Sequence, residues 1–258
     1  MSNKKVGFRS LIAVALVFVP LIMAVPQKRA GKSAKQGAPD LEVKLARKAD
    51  FVPSDKSTLN RIVAIARHYE IPMGIEWIGG TGAEDLEVPA AALPATRTVR
   101  DLLTAIVSRL PDYQLTVQDG VVHIVPPVIA VRNDNFLNLV IEDFEVKDES
   151  LFGAADELRI AIYMTLHPEV EGYAGGYGND PEHVFAKRHL SYESHDLTVR
   201  QILDGLAKTN GNALWIAEFD RRDFTSQPSS NRTVEESKQV WRFEPLRDHI
   251  PGSSADGP

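Results

Sequence analysis

A six-residue motif that occurs twice constrains the fold of this chain more than any other feature. The sequence TVRDLL at 98–103 returns as TVRQIL at 198–203. Each copy reads as a helix start, in which the Thr hydroxyl accepts from the third helical N–H and Asp101 or Gln201 reaches back to the Thr N–H. Leucine and isoleucine then recur at helical spacing. The repeat predicts two halves with one structural plan.

Strand patterns follow both helices. In the first copy, residues 113–117 alternate, Asp119-Gly120 forms a turn, and 121–125 return, which is a strong hairpin signal. In the second copy, 213–217 and 240–243 are the corresponding strands. The polar stretch 220–238 between them is interpreted as an insertion at the hairpin tip.

An earlier helix is predicted in each copy, at 57–69 and at 150–166. Short strands are expected before these helices, at 41–45 and 139–146, and after them, at 73–78 and 190–192. The expected fold class is therefore α+β, with two tandem small domains of β-α-β-β-α-β type and mixed or antiparallel sheets. They span 41–127 and 136–246, and a Pro-Pro pair opens the boundary between them.

This succession of helix, short strand, TVRxLL helix and Asp-Gly hairpin resembles the short N-terminal domain shared by secretins and TonB-dependent receptors. The match is clearest over 59–125 and looser over 139–243. The resemblance implies a periplasmic domain that has no enzymatic activity and docks protein partners. No pore segment follows the second copy, so we expect a free-standing protein.

The first residues indicate export. Lys4, Lys5 and Arg9 precede an apolar run of 15 residues, 11–25, which is shorter than the roughly 20 residues of a membrane span. We expect a signal peptide at 1–24, cut near Ala24, with an uncleaved anchor as the alternative. A flexible basic spacer at 25–40 and a disordered tail at 247–258 are also expected. The mature chain is then periplasmic or secreted and has no transmembrane span.

Charge and composition exclude several classes of protein. Removal of three positive charges with the signal peptide lowers the net charge from −6 to −9, which argues against nucleic acid as a partner. The sequence has no Cys, so it has no disulfide framework and no thiol nucleophile. It also lacks the common hydrolase, zinc-protease, phosphate-loop and dinucleotide motifs. We therefore predict a non-enzymatic protein without a cofactor.

Histidines near carboxylates are candidate metal ligands. His183, His189 and His195 are spaced six residues apart, which places them on no single helical face. Scattered surface histidines are the favoured interpretation, and a metal site is the alternative.

The Gly-rich loop 172–180 carries Tyr173 and Tyr177, a composition that suits adaptable recognition of protein or glycan. A simple insertion is the competing interpretation. Trp241 and Arg242 lie on a predicted strand paired with the one that carries Trp215. Core packing is expected for the two tryptophans, but an exposed Trp-Trp-Arg face would be a binding hot spot.

These observations favour an exported, non-enzymatic protein-interaction module of the bacterial envelope, whose partner is an envelope or secreted protein. Two alternatives remain open. One is a periplasmic protein that binds a glycan or small ligand, and the other is a His-dependent metalloprotein.

Overall fold

The computed structural model describes residues 38–51, 53–55, 57–79, 98–170, 188–211, 213–220 and 240–247. These residues contain helices α1 (Ala38–Leu45), α2 (Thr58–Tyr69), α3 (Val99–Val107), α4 (Pro127–Ala130), α5 (Leu151–Leu166) and α6 (Val199–Asn210), and a 3-10 turn at Phe136–Asn138. They also contain strands β1 (Met73–Gly79), β2 (Gln114–Gln118), β3 (Val121–Val125), β4 (Val140–Ser150), β5 (His189–Thr198), β6 (Ala213–Asp220) and β7 (Val240–Pro245). The predicted α+β class, with a mixed sheet, is confirmed.

Strand β1 lies at the centre of a five-stranded sheet with the order β2-β3-β1-β6-β7. It runs parallel to both of its neighbours, so Ile75 lies beside Ile124 of β3 on one side and beside Ile216 of β6 on the other. The outer strands β2 and β7 pair antiparallel with β3 and β6 as hairpins. Strands from both copies of the repeat therefore share one sheet.

This shared sheet means that the expectation of two tandem domains with separate sheets is not confirmed. The described residues all belong to one compact unit of the chain. Of the strands in the second copy, β6 and β7 extend the sheet of the first, and only β4 and β5 form a sheet of their own. That ribbon is antiparallel, with a bulge between Val146 and Glu149.

The three inner strands, β1, β3 and β6, are buried on both faces of the central sheet. Their successive side chains point to opposite sides and enter two different cores. One face packs against α1, α2 and α3, with Ile75, Trp77, Leu214 and Ile216 facing these helices. The other face packs against α5 and α6, and its side chains form one buried cluster with those of the β4–β5 ribbon. Trp215 and Trp241 belong to this cluster.

Both predicted helix starts have the expected capping boxes. The hydroxyl groups of Thr98 and Thr198 accept from the third helical N–H, and Asp101 and Gln201 accept from the N–H of the cap. Each copy also makes an equivalent hydrogen bond from its helix start to an earlier segment of the chain. The Val99 N–H donates to the carbonyl of Arg47 at 2.9 Å, and the Val199 N–H donates to that of Leu139, also at 2.9 Å.

Two predicted turns and ends are also confirmed. Asp119 and Gly120 have φ values of 50° and 81°, which suits the two-residue hairpin turn that joins β2 and β3. Gly211 ends α6 with φ 71°, and its N–H donates to the carbonyl of Ala207.

A buried ion pair ties the second copy to the central strand. Glu76 of β1 is fully buried, and the Arg200 Nε lies 2.7 Å from one of its carboxylate oxygens. Asn135 donates to the other oxygen at 3.3 Å, and Arg200 Nη1 donates to the Asn138 side chain at 2.7 Å. Since a buried carboxylate is costly without a partner, Arg200 and the connector before β4 hold the charge of Glu76 in the core.

The strand predicted at 41–45 is wrong. This segment belongs to helix α1, which also includes residues 38–40 of the predicted spacer. Leu41 and Leu45 are one helical turn apart and are both buried, and Asp40 pairs with Lys44 at 3.0 Å across a turn. A few residues with two apolar positions fit either period, and packing against the core selects the helix.

Other predictions fall outside the described residues. These are the signal peptide at 1–24, most of the spacer, the loop 172–180, the insertion after Asp220 and the tail from residue 248. Within the part of the chain that is described, no helix is long and apolar enough to cross a membrane.

Replacement of Arg200 by Met tests the buried pair. We expect a loss of about 3–5 kcal/mol in the free energy of unfolding, because Glu76 is left buried without its cation. Arg100→Met is the matched control, since Arg100 holds the same place in the first motif but pairs with an exposed Glu42. That control loses about 0–1 kcal/mol. Urea unfolding followed by tryptophan fluorescence measures both, and equal losses would contradict the assignment.

Candidate binding groove

A groove of about 510 Å³ lies between helix α2 and strand β7. One wall is a stripe of α2, and the other is formed by the two strands that the second copy adds to the sheet. The lining residues are Asp55, Leu59, Asn60, Val63, Ala64, Arg67, Ile216, Arg242 and Glu244. The groove is therefore built from both copies of the repeat.

Helical spacing creates the α2 wall. Leu59, Val63 and Arg67 are four residues apart, so they follow one another along one side of the helix, and Asn60 and Ala64 lie beside them. The stripe from residue 59 to residue 67 covers about 12 Å at 1.5 Å per residue. The strongest apolar positions of α2 face the core instead, so this stripe flanks the buried face.

Buried apolar side chains lie beneath the groove, and its accessible lining is mostly polar. Ile216 is fully buried, Val63 is buried, and Leu59 is partly buried against the same core. Asn60, Arg67 and Arg242 are exposed. The accessible surface of the groove is therefore polar, with small apolar contributions from Leu59 and Ala64.

Two arginines and two carboxylates form a charged cluster at one end of the groove. Arg67 lies 2.8 Å from one oxygen of Glu244, and the Arg242 Nε donates to the other at 2.8 Å. Arg242 also pairs with Glu218. Burial lowers the pKa of Arg242, but the hydrogen bonds to Glu218 and Glu244 outweigh it and raise this pKa above its ordinary value. The guanidinium group of Arg242 therefore stays charged.

Arginine side chains donate hydrogen bonds to two backbone carbonyls of β7. The carbonyl of Trp241 accepts from Arg159 at 3.4 Å, and that of Pro245 accepts from Arg67 at 3.0 Å. Residues two or four apart in a strand direct their backbone groups to the same side, and Pro245 has no N–H to donate. Arginines and a proline are devices that protect an edge strand from further pairing. The groove, rather than the edge of β7, is thus the candidate contact surface.

The predicted tryptophan face is not exposed. Trp241 is buried, and the guanidinium of Arg159 lies 4.5 Å from the centre of its ring. Trp215 is also buried in the same core. The interpretation of both tryptophans as core residues is confirmed, and Trp241 offers no contact surface. Arg242 points to the opposite face of β7 and lines the groove.

Two of the three candidate histidine ligands are described, and neither belongs to a group of side chains that could hold a metal ion. His189 and His195 lie on β5, and His183 lies outside the described residues. The His195 Nδ1 lies 2.5 Å from Asp143 on β4, and its Nε2 lies 3.1 Å from Glu193. Within the described ranges, no group of three His, Cys, Asp or Glu side chains could hold a metal ion. Tyr173 and Tyr177 lie outside these ranges.

A second buried polar cluster was not found from the sequence. Trp215 donates to Asp204 of α6 at 2.8 Å, and the His123 Nε2 lies 3.2 Å from the other Asp204 oxygen. His123 and Asp204 are buried, and the His123 ring lies edge-on to Trp215. The hydrogen bond from Trp215 links α6 to β6 inside the core, and His123 of β3 lies against the same carboxylate.

Sequence reasoning found one groove residue, Arg242, and missed the rest. Leu59 and Val63 looked like ordinary core positions of an amphipathic helix. No local signal shows that α2 faces β7, because that contact depends on the pairing of β1 with β6.

Comparison with protein-family models, with curated proteins and with solved structures found no match for this chain. The resemblance to the short N-terminal domain of secretins and TonB-dependent receptors therefore remains an expectation.

A titration of His195 tests the exposed face of the ribbon. Hydrogen bonds to Asp143 and then Glu193 raise the pKa of His195 above its ordinary 6.5. Because the folded pKa is raised, the stabilisation is present below pH 6.5 and is lost as the pH rises through the folded pKa. NMR titration should show a higher pKa in the native chain than in Asp143→Asn. Glu142→Gln is the control and should leave the pKa of His195 unchanged. If the pKa of His195 in Asp143→Asn equals that in the native chain, the contact between His195 and Asp143 is contradicted.

Proposed function

We propose that this chain is an exported, non-enzymatic protein-interaction module of the bacterial envelope, and that it docks a polypeptide partner in the groove between α2 and β7. The observation that carries the proposal is the groove itself. It places the partly buried Leu59 and Ala64 of α2 beside two exposed arginines, Arg67 and Arg242, which pair with Glu244 and Glu218.

The openness of the groove supports a polypeptide rather than a small ligand. A small-molecule site encloses most of its ligand. Here the rim side chains of Asn60, Arg67 and Arg242 are exposed, and one wall is a stripe of helix α2. An open groove beside a helix is typical of sites that bind a peptide segment.

Export is supported by the sequence alone. Three positive charges precede an uncharged apolar run of 15 residues at 11–25, which is the pattern of a secretory signal peptide. A partner that meets this chain after export is an envelope or secreted protein.

A substitution that fills the groove tests this function. Ala64→Trp places a large side chain between α2 and β7, so we expect the mature chain to lose captured partners by about tenfold or more in an in-cell crosslinking and pull-down experiment read by mass spectrometry. Thr104→Trp is the matched control, because Thr104 is an exposed residue of α3 outside the groove. That variant keeps the native set of partners.

Thermal unfolding of both variants shows whether each one is folded, so that a loss of partners is not caused by misfolding. An identical partner set in the native chain and in a folded Ala64→Trp variant would overturn the assignment of the groove. Absence of any reproducible envelope partner in the native chain would overturn the proposed function.

A further inference from the structure

We infer that this chain forms a homodimer in which strand β2 pairs antiparallel with β2 of a second copy, so that the five-stranded sheet continues across a two-fold axis. The juxtaposition that points to it is a free sheet edge whose residue order, Gln-Leu-Thr-Val-Gln, has the same chemical character when it is read in either direction. The inference goes beyond the proposed docking function and does not depend on it.

Strand β2 is an edge strand without the devices that protect sheet edges from pairing. It lies at the end of the five-stranded sheet, and β3 is its neighbour among the described strands. Its five residues include no charged residue and no Pro, and its pairing with β3 has no bulge. Charges, prolines and bulges are what edge strands use against further pairing. The outer side of β2 is therefore open to another strand.

The other sheet edges in the described part of the chain carry such devices. On β7, arginine side chains donate to the carbonyls of Trp241 and Pro245. The β4–β5 ribbon has a bulge between Val146 and Glu149, and both of its strands carry acidic residues. The contrast indicates that β2 is the edge available for a contact with another chain.

The backbone of β2 presents hydrogen-bonding groups to the open side. The two-residue turn between β2 and β3 makes Gln118 and Val121 a hydrogen-bonded pair. Because the direction of these groups alternates along a strand, Leu115 and Val117 point their N–H and C=O groups away from β3. Antiparallel pairing centred on Thr116 lets Leu115 of each copy exchange two hydrogen bonds with Val117 of the other.

The side chains of β2 match across the same axis. Thr116 lies opposite Thr116 of the second copy, and Gln114 lies opposite Gln118; all three are exposed. Threonine pairs and glutamine amides hydrogen-bond each other across strands. On the other face, Leu115 lies opposite Val117, and both are only partly buried against the core. The pairing buries more of these two side chains and brings no like charges together, so the strand is complementary to itself.

Disulfide crosslinking in cells that produce the full chain tests this register. The native sequence has no Cys, so Thr116→Cys provides a single thiol in each chain. Opposite residues of a non-hydrogen-bonded pair have Cα atoms about 4.5 Å apart, which a disulfide can span. Because position 116 lies on the axis, we expect diamide to oxidise the two thiols to a disulfide and to give a covalent dimer on a non-reducing gel.

Gln114→Cys and Gln118→Cys are the matched controls, since both positions are exposed on the same strand. Each position lies opposite the other, so neither variant should crosslink alone, whereas cells that produce both variants should form a covalent dimer. Thermal unfolding of each purified variant shows whether it is folded. Absence of the covalent dimer in a folded Thr116→Cys variant, or equal yields in all three single variants, overturns the inference.

A charge on the axis tests whether the native strand itself dimerises. In sedimentation equilibrium, Thr116→Lys should weaken dimerisation about tenfold, which corresponds to about 1.4 kcal/mol, because two like charges then lie directly opposite each other. Val240→Lys is the control, since it adds the same charge at an exposed position of β7 on the other edge of the sheet. That variant should dimerise like the native chain.

Mixing two charged variants separates a specific pairing from a loss of solubility or fold. A mixture of Thr116→Lys and Thr116→Glu should recover the dimer that each variant alone has lost, because opposite charges then meet on the axis. A native chain that stays monomeric at every concentration, or equal weakening by Thr116→Lys and Val240→Lys, overturns the dimer. Either result leaves the proposed docking function unaffected, because the groove does not include β2.

Discussion

The whole described structure depends on strand β1, which is hydrogen-bonded on both sides. The first copy of the repeat supplies β3 on one side, and the second copy supplies β6 on the other. Six residues of β1, from Gly74 to Gly79, pair with β6 from Trp215 to Asp220. Trp215 lies so close to Gly74 that a Cβ there would overlap its ring. Strand β1 therefore binds the second copy by backbone pairing with β6 and by the close contact of Gly74 with the Trp215 ring.

The groove is a consequence of this shared strand. Helix α2 leads into β1, while Ile216 and Arg242 belong to the hairpin paired beyond it. Without the pairing of β1 and β6, the α2 wall and the β7 wall would not face each other. The groove thus lies at the junction of the two copies rather than within either copy.

The repeated motif determines where the two helices start, but it does not determine the environment of the motif arginines. The motif arginines Arg100 and Arg200 both pair with a carboxylate from an earlier segment. In the first copy that carboxylate is exposed on α1, and in the second it is Glu76, buried in the central strand. Local sequence encodes the cap and the direction of the side chain, and the tertiary neighbour decides whether the pair is a surface contact or a core contact.

This difference explains which features could be predicted. Capping boxes, the Asp119-Gly120 turn and most helix bounds follow from interactions within a few residues, and the structure confirms them. Helix α1 was missed because Leu41 and Leu45 carry too little periodicity to separate a helix from a strand. The groove was missed because long-range packing decides which strand pairs with β1. The hydrophobic pattern of β1 does not indicate that this strand is β6.

Native-state hydrogen exchange at increasing urea concentration tests most directly whether the two copies form one cooperative unit around β1. Amides of β3 from the first copy and of β6 from the second should open with the same free energy and the same dependence on urea, because loss of β1 exposes both. Opening of β6 and α6 at a clearly lower free energy, while β3 and α3 stay protected, would contradict the account. It would show two independent domains that merely touch.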